Sequence, residues 1–302
     1  MIVFPIMALS VVLTTVIVPS SAGVVPPSGI LPSAATVVVP PEAVYTPEDR
    51  KIFDRYIAYI RPWRLAQTDS LLEKTAAFFL DSPYAAHTLE TPGEEVPVIN
   101  LREFDCTTFV ELVIALARTA RSGKPDFDTF LGELQHIRYR DGNVQGYVSR
   151  LHYTSDWLCD NEKKGLLKNS SAGLGGICEK KTINFMTTRR DAYRQLKNDD
   201  TLWGEMQAIE NNINGRDGFY YLPKEHIAVT APRIPHMSMV AFTTDIDGLD
   251  VTHMGFAFQA GGRLTFIHAS SARKKVVIEQ KTLSEYCAGQ SSCTGIIVAQ
   301  VL

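Results

Sequence analysis

The sequence lacks a clear excess of either charge. Across its 302 residues, 30 lysines and arginines stand against 33 aspartates and glutamates, which gives a formal net charge of −3. A protein that works mainly by neutralising nucleic-acid phosphates carries a basic excess, so we expect no nucleic-acid partner. Apolar residues make up 45% and charged residues 21% of the chain, which excludes wholesale disorder and predicts a large core.

Charged side chains are absent before Glu42. Within this stretch, residues 2–18 are almost entirely apolar and are followed by small residues up to Ala22, a pattern typical of a signal-peptidase site. We therefore expect 1–22 to be a signal peptide and the protein to be periplasmic or secreted. The alternative is a retained membrane anchor, for which an apolar stretch of about 18 residues is barely long enough. Only in that case would we expect membrane contact.

Linkers and repeats are scarce in the rest of the chain. Residues 23–44 are rich in proline, valine and serine and show no helical periodicity, which predicts a flexible tether. Beyond them we find neither a second linker of this kind nor an internal repeat. The economical interpretation is one domain over 45–302, in which 127–221 forms a central elaboration that mixes helical and loop signals.

The chain has few cysteines, and their number, five, is odd. Cys159 and Cys178 flank one polar loop, and Cys287 and Cys293 flank another, so each pair is suited to a local disulfide in an oxidising compartment. Cys106, at the start of an apolar run, would then be the unpaired thiol. The alternative is a reduced protein that stays in the cytosol with all of its thiols free.

The order of the secondary-structure signals predicts an α+β fold. Helical patterns come first: a capped start at Thr46, a second helix over 71–80, and a run over 104–117 that is apolar almost all round. After Met237, short β-rich runs follow. We therefore expect N-terminal helices packed on a C-terminal antiparallel β-sheet, with Cys106 opening the buried helix.

A thiol at the start of a helix has a chemical use. The unpaired amide groups and the helix dipole favour negative charge there, which would lower the pKa of Cys106 and could hold the oxyanion of a tetrahedral intermediate. The ordinary alternative is a buried and inert cysteine, so a catalytic interpretation needs a histidine partner. Asp105, directly before the thiol, is expected to cap this helix.

Two histidines lie in the β-rich half of the chain. His253 and His268 occupy neighbouring runs joined by two glycines at 261–262, a pattern that predicts a β-hairpin. If the turn is centred there, His253 faces Ser270 and His268 faces Gly255, so the two imidazoles are diagonal neighbours on one face of the sheet. A shift of one residue would put them on opposite faces.

Cys106, His253 and His268 together suggest a nucleophile, a general base and an orienting group. The two histidines could instead be zinc ligands, but no HExxH motif or paired His/Cys motif supplies a third ligand. They could also be ordinary core histidines. The combination with Cys106 favours catalysis without a metal or another cofactor.

Several segments occur in an order that resembles a known family. The segments that carry the catalytic candidates are FDCTTFVE (104–111), GLDVTHMG (248–255) and HASS (268–271). Further similar segments are SPY (82–84), TLE (88–90), RYRDG (138–142), SRLHYTSDW (149–157) and INFM (183–186). Together they resemble the N-acetylmuramoyl-L-alanine amidase-like family, a branch of the NlpC-type papain-like cell-wall hydrolases, over roughly 45–302.

The resemblance implies a papain-like, NlpC-type core in which Cys106 is the nucleophile, His253 the general base and His268 its orienting group. It implies hydrolysis of the amide between the lactyl group of N-acetylmuramic acid and L-alanine, without a metal. The expected partner is peptidoglycan or a muropeptide fragment of it. Alternatives are cleavage of the γ-D-glutamyl-diaminopimelate bond by the same chemistry, or a non-catalytic module that binds the cell wall.

Further side chains in or near these segments are candidates for substrate binding: Tyr84, Asp105, Arg138, Arg150, His152, Tyr153, Trp157, Asp250 and Ser270. In related hydrolases a tyrosine near the position of Tyr84 lies beside the nucleophile and could assist the oxyanion; a packed aromatic ring is the alternative. The segment 150–157 combines aromatic and hydrogen-bonding groups, which suits a saccharide platform and equally the rim of the core. Arg138 first indicates a structural turn.

Overall fold

The computed structural model describes residues 43–302. The predicted signal peptide and all but the last two residues of the predicted tether lie outside the described residues. Val44 already belongs to the fold, since its backbone N–H donates to Pro97 and its carbonyl accepts from Ile99, both at 2.8 Å. Within the described range, no helix is both long and apolar enough to cross a membrane.

The described residues contain nine α-helices. In chain order they are α1 (Pro47–Ile60), α2 (Thr68–Phe78), α3 (Cys106–Arg121), α4 (Phe127–Arg138), α5 (Thr154–Lys163), α6 (Phe185–Thr188), α7 (Asp200–Asn214), α8 (Lys224–Thr230) and α9 (Leu283–Ala288). The first five precede the first strand, so the predicted order of helices before strands is found in the structure.

One eight-stranded sheet accompanies these helices. Its strands are β1 (Leu167–Asn169), β2 (Ile177–Glu179), β3 (Phe219–Pro223), β4 (Met239–Thr244), β5 (Val251–Ala260), β6 (Arg263–Ser270), β7 (Lys275–Ile278) and β8 (Cys293–Val301). Their order is β2-β3-β8-β4-β5-β6-β7, with β1 also paired to β8. All of these pairs are antiparallel, so the predicted α+β class with an antiparallel sheet is confirmed.

The segment 127–221 contributes to this sheet as well as to the helices. β1 and β3 pair with β8, and β2 extends the sheet beyond β3. The sheet is therefore built from the middle of the chain together with its C-terminal part. The expectation of a purely C-terminal sheet was too narrow, because short strands in a polar region carry little periodic signal of their own.

Helix α3 forms where its cap and its apolar run predicted it. The side chain of Asp105 accepts from the backbone N–H of Thr108 (2.8 Å), and the hydroxyl of Thr108 accepts from the N–H of Asp105 (2.9 Å), which is a complete capping box. Twelve of the 16 residues are buried, as expected for a core helix. Phe109 packs edge-on against Phe256 of β5, with ring centroids 6.2 Å apart. Cys106 is the first residue of this anchored helix.

Strands β5 and β6 form the predicted hairpin in the predicted register. Phe256 lies opposite Ile267, and Ala260 lies opposite Arg263. The two connecting glycines at 261–262 have φ values of 55° and 79°, in the left-handed region that a two-residue hairpin turn requires and that glycine adopts freely. The register prediction is therefore confirmed.

The two faces of this hairpin are covered by different helices. Side chains alternate along a strand, so His253 and the α3-contacting Phe256 point to opposite faces. His253 and His268 lie on the face that carries Phe266 and is covered by Tyr286 of α9. Phe256 therefore packs on α3, and Tyr286 of α9 lies beside both imidazoles and within range of the charge of Cys106.

Candidate active site

Cys106 lies where α3 meets β5. It follows the N-cap residue Asp105, it is half-buried, and among the described residues its thiol forms no disulfide. The backbone of Met254 in β5 lies close enough to the sulfur to lower the pKa of the thiol. Met254 directly follows His253, so this contact brings the thiol to the strand that carries the first imidazole.

The pKa of Cys106 differs from the expectation. Burial, followed by the negative charge of Asp105, raises the pKa of this thiol to about 11, and hydrogen bonds from Met254 and Thr107 only partly oppose that. The helix start was expected to lower this pKa, and this prediction was wrong because desolvation outweighs the helix amides. Cys106 is therefore a neutral thiol at neutral pH.

The two histidines form a directly bonded pair. His253 Nε2 and His268 Nδ1 lie 2.6 Å apart, and the ring centroids are 4.8 Å apart at an interplanar angle of 84°. Gly255 makes room for this arrangement, because a Cβ there would lie 2.6 Å from the carbonyl oxygen of Ile267 and 2.9 Å from His268 Cβ. The predicted diagonal neighbours are thus in hydrogen-bond contact.

Both imidazoles are neutral at neutral pH. Burial, followed by the charge of His268, lowers the pKa of His253 to about 3, and burial lowers the pKa of His268 to about 4. A hydrogen bond between two neutral imidazoles contains one proton, so one ring donates and the other accepts. The Nδ1 atom of His253 is the ring nitrogen that this bond leaves available.

Two residues near the pair were not identified from the sequence. Glu279, just after β7, places Oε2 3.6 Å from His268 Nε2, and the Tyr286 ring lies 6.0 Å from that of His253 and 5.8 Å from that of His268. The β6–β7 register sets His268 opposite Val277, so Glu279 is its diagonal neighbour. This signal was available in principle, but only if the pairing of β7 with β6 had been recognised.

Tyr84 lies near Cys106. Burial raises the pKa of its phenol, and the charges of Cys106 and Asp105 raise it further, which requires both groups to be close. A bridge between Tyr84 and Phe104 fixes the segment next to the start of α3. Tyr84 and Asp105 are therefore the two substrate-binding candidates that adjoin Cys106.

A cavity of about 440 Å³ opens beside the start of α3. Its lining includes Asp105, Thr107, Arg138, Arg150 and His152. Asp105 and Thr107 flank Cys106 in the chain, so the cavity adjoins the first turn of α3.

The two arginines in this wall are already paired. Arg138 is 1% exposed and donates to Glu111 (2.7 Å) and to the carbonyl of Val98 (2.6 Å). Arg150 is 5% exposed and donates to Glu90 (2.8 Å). These ion pairs fix the shape of the cavity wall, so both arginines have a structural part, which agrees with the first interpretation of Arg138.

The aromatic side chains expected to form a saccharide platform, Tyr153 and Trp157, are not exposed at the surface. Tyr153 is buried, donates its hydroxyl to Glu210 (2.7 Å) and accepts from the backbone of Met186 (2.8 Å), while Trp157 is buried in the main core. Trp157 lies in α5 and Tyr153 is its N-cap residue, and both side chains are buried, so the structure favours the core alternative for these two residues. His152 does line the cavity, and burial lowers its pKa to about 3.

Asp250 and Ser270 are also engaged within the protein. Asp250 is 2% exposed and accepts from the backbone N–H groups of Ser155 (2.6 Å) and Val251 (2.8 Å), which ties the start of α5 to β5. Ser270 is buried and accepts from the backbone of Arg273 (3.2 Å) in the turn after β6. The contacts of Asp250 and Ser270 are thus structural, and neither residue lines the cavity beside α3.

The cysteine pairing was half right. Cys287 and Cys293 form the predicted disulfide, which joins α9 to the start of β8 with Cα atoms 5.7 Å apart. Cys159 and Cys178 are free thiols, which corrects the second predicted disulfide. Pairing of β2 with β3 places the Cys178 thiol against the carbonyl of Asp217 (3.1 Å), whereas Cys159 lies on α5.

The zinc alternative would need a third ligand near the histidine pair. Within residues 43–302, no group of three or more His, Cys, Asp or Glu side chains is arranged to hold a metal ion.

Comparison with known proteins identifies the family. A family model described as AmiA-like, N-acetylmuramoyl-L-alanine amidase-like, matches residues 74–296. A solved N-acetylmuramoyl-L-alanine amidase from Bacteroides uniformis is 38% identical, with 78% of this chain and 99% of that chain covered and a TM-score of 0.75. A Bacteroides fragilis protein with a provisional xylanase name is also 38% identical (75% and 99% covered, TM-score 0.72). No match was found among curated proteins.

A more distant structure shares the fold alone. A Legionella pneumophila protein is 22% identical over 83% of this chain and 96% of its own, with a TM-score of 0.64. The matched range 74–296 contains the thiol and both histidines of the candidate site. The extent of that match and the Bacteroides uniformis identity together show that this chain belongs to the AmiA-like, N-acetylmuramoyl-L-alanine amidase-like family, whose members are hydrolases acting on amides.

Proposed function

We propose that this protein is an exported peptidoglycan amidase that hydrolyses the amide between N-acetylmuramic acid and L-alanine. In the proposal Cys106 is the nucleophile, His253 the general base and His268 its orienting group. The observation that carries it is an unpaired thiol at the first residue of α3, close to the backbone of Met254, which directly follows His253 of the bonded imidazole pair. Export to the periplasm or beyond is proposed from the apolar stretch 2–18 and the small residues after it.

We also propose that α3 and the β5–β6 hairpin form a papain-like core of the NlpC type. The support is a buried helix that begins at a cysteine and packs on an antiparallel sheet carrying a histidine. In such a core the nucleophile and the base come from different elements, which packing must align.

The proposed reaction starts from two neutral groups. Because the pKa of Cys106 is raised to about 11 and that of His253 is lowered to about 3, a resting thiolate–imidazolium pair is unfavourable. The thiol proton therefore moves to His253 Nδ1 while the sulfur attacks the lactyl carbonyl. The His253–His268 hydrogen bond holds the base in orientation during this transfer.

Attack converts the carbonyl oxygen into an oxyanion. Amide groups in the first turn of α3 lack intrahelical acceptors and can donate to it, with the Tyr84 hydroxyl as a further donor. The tetrahedral intermediate collapses, and the departing alanine nitrogen takes the proton from the His253 imidazolium. A thioester then joins Cys106 to the lactyl group.

Water completes the cycle. His253 takes a proton from the water as it attacks the thioester, and Cys106 leaves as the sulfur that regains that proton. The products are a muramoyl carboxylic acid and a stem peptide with a free L-alanine amine. Each cycle consumes one water molecule and regenerates the Cys106 thiol and the neutral His253.

The provisional xylanase name of one relative suggests a glycosidic bond instead. Glycoside hydrolases use two carboxyl groups about 5 to 9.5 Å apart, one of which must act as an acid or nucleophile. In the cavity beside α3, Glu111 is paired with Arg138 and Glu90 with Arg150. These carboxylates are held as ion-pair partners, which supports the amide over the glycosidic bond.

Digestion of purified muropeptides, followed by mass spectrometry, tests the proposed bond. We expect stem peptides with a new L-alanine amino terminus and peptide-free muramoyl sugars. A dipeptide left on the sugar would assign the γ-D-glutamyl bond instead. Binding to sacculi without any product would favour a wall-binding module, and release of xylo-oligosaccharides from xylan would favour a glycosidase.

A further inference from the structure

A carboxylate lies beside His268, at the ring nitrogen that does not face His253. Glu279 places Oε2 3.6 Å from His268 Nε2, and only 11% of its side chain is exposed. Its other oxygen, Oε1, accepts from the backbone N–H groups of Gln280 (2.8 Å) and Lys281 (3.1 Å). One oxygen therefore fixes the side chain in place, and the other faces the ring.

The positions of the protons on the two imidazoles require a hydrogen-bond acceptor at His268, which this carboxylate can supply. For His253 Nδ1 to accept a proton, the proton shared by the rings must belong to His253 Nε2. His268 then accepts at Nδ1 and carries its own proton on Nε2. That Nε2 atom is buried and has no hydrogen-bond partner among the described residues, so the facing oxygen of Glu279 is its nearest suitable acceptor.

We propose that Glu279 is a positioning residue, which acts through His268 to fix the protons of both imidazoles so that His253 presents an unprotonated Nδ1 to Cys106. The inference rests on the proposed function and adds a fourth side chain to it. When His253 takes the thiol proton, the same carboxylate stabilises the positive charge shared by the pair. Burial lowers the pKa of His253 most and the charge of His268 lowers it as well, whereas the charge of Glu279 raises it.

The other neighbours of the pair act differently. Phe266 stacks on His268 with centroids 4.2 Å apart, and Tyr286 lies beside both rings. These aromatic side chains fix the ring planes. Glu279, in contrast, places a negatively charged hydrogen-bond acceptor beside Nε2 of His268.

Glu279→Gln isolates the proposed role. Its amide oxygen can keep the bonds to Gln280 and Lys281, while its NH₂ group faces His268 Nε2 and donates to it. His268 then carries its proton on Nδ1 and donates to His253, which leaves His253 protonated on Nδ1 and unable to act as a base. We expect kcat on muropeptides to fall about 10- to 100-fold, with KM changed by less than about twofold.

The chain offers a matched control. Glu73 pairs with His236 at 2.9 Å, so Glu73→Gln alters a histidine–carboxylate contact away from the candidate site. We expect kcat of this variant to equal that of the wild type. A fall in both variants would show a general effect of removing such a carboxylate.

Nitrogen-15 NMR of the full chain labelled at histidine reads the proton positions directly. We expect Nε2–H on both His253 and His268 in the wild type, and Nδ1–H on both in Glu279→Gln. A wild-type His268 protonated on Nδ1 would overturn the inference even if the variant failed to fold, and so would a Glu279→Gln variant with wild-type kcat. A wild type without amidase activity would sink the proposed function instead, and the spectrum would still decide the role of Glu279.

Discussion

Asp105 serves α3 in two ways that act against each other at the neighbouring thiol. Its side chain caps the helix through Thr108, and its charge is the second cause, after burial, that raises the pKa of Cys106. The residue that caps the helix thus also favours the protonated form of the Cys106 thiol. In the proposed reaction this thiol therefore passes its proton to His253 as it attacks.

Asp105→Asn separates these two effects. Asparagine caps helices as well as aspartate does, so we expect α3 to stay intact. Loss of the negative charge favours the thiolate, so the pKa of Cys106 should fall below about 11. Alkylation of Cys106 by iodoacetamide, followed by peptide mass spectrometry across pH, should show its midpoint at lower pH than in the wild type.

Asp126→Asn is the control for that experiment, because Asp126 caps α4 through Thr129 in the same way. We expect it to leave the alkylation profile of Cys106 unchanged. An Asp105→Asn profile that coincides with the wild type would show that the carboxylate does not contribute to the raised pKa.

At the scale of elements, the β5–β6 hairpin depends on one small residue. A Cβ on Gly255 would lie 2.6 Å from the carbonyl oxygen of Ile267 and 2.9 Å from His268 Cβ. Gly255→Ala should therefore force the strands apart and cost about 1 to 3 kcal/mol of unfolding free energy. Urea denaturation measures the loss, and the His253–His268 bond should be disturbed with it.

Gly204→Ala is the matched comparison. Gly204 lies inside α7, and a Cβ there would meet nothing within 4 Å. Replacement of an interior helical glycine by alanine should raise stability by about 0.5 to 1 kcal/mol. If both variants were equally stable, the close approach at Gly255 would have no energetic consequence.

The hairpin and α3 could be predicted from the sequence because their signals are local. A glycine pair at 261–262 sets the register of β5 and β6, and a capping residue followed by an apolar run sets the start of α3. Glu279 was missed because its approach to His268 depends on β7 pairing with β6. Local patterns do not specify such a pairing.

The burial of Tyr153 and Trp157 was missed for a related reason. Both belong to a segment rich in polar and aromatic groups, which is equally compatible with a surface and with a core. Their inward orientation follows from the packing of α5, including the contact between Asp250 and the backbone of Ser155. That contact joins residues 95 positions apart, so only the folded chain reveals it.

At the scale of the whole molecule, buried neutral histidines should make stability depend on pH. Burial lowers the pKa of His152 and His253 to about 3 and that of His268 to about 4, from 6.5. At a pH between the folded-state pKa of a histidine and 6.5, the unfolded chain binds more protons than the folded chain does. Protonation therefore favours unfolding in this range. Stability should fall as pH drops from 6.5, by at most about 1.4 kcal/mol per histidine per pH unit.

At alkaline pH, stability falls for the opposite reason, because the unfolded chain loses a proton first. The pKa of Cys106 is raised from 9.0 to about 11, so above pH 9.0 the unfolded chain loses a proton that the folded chain keeps. Stability should then decline as pH rises from 9.0 towards 11, and urea unfolding should give a maximum between about pH 6.5 and 9. A stability that stays constant down to pH 4 would contradict the burial of neutral imidazoles.

In the proposed reaction one sulfur, that of Cys106, attacks the muramoyl amide. The most direct test compares Cys106→Ala with Cys159→Ala, which removes a thiol from α5 outside the site, by the rate at which each variant releases L-alanyl stem peptides from muropeptides. We expect Cys106→Ala to lose about 10⁴-fold or more of the rate and Cys159→Ala to keep it within about twofold. Retention of the wild-type rate by Cys106→Ala would show that this thiol is not the nucleophile.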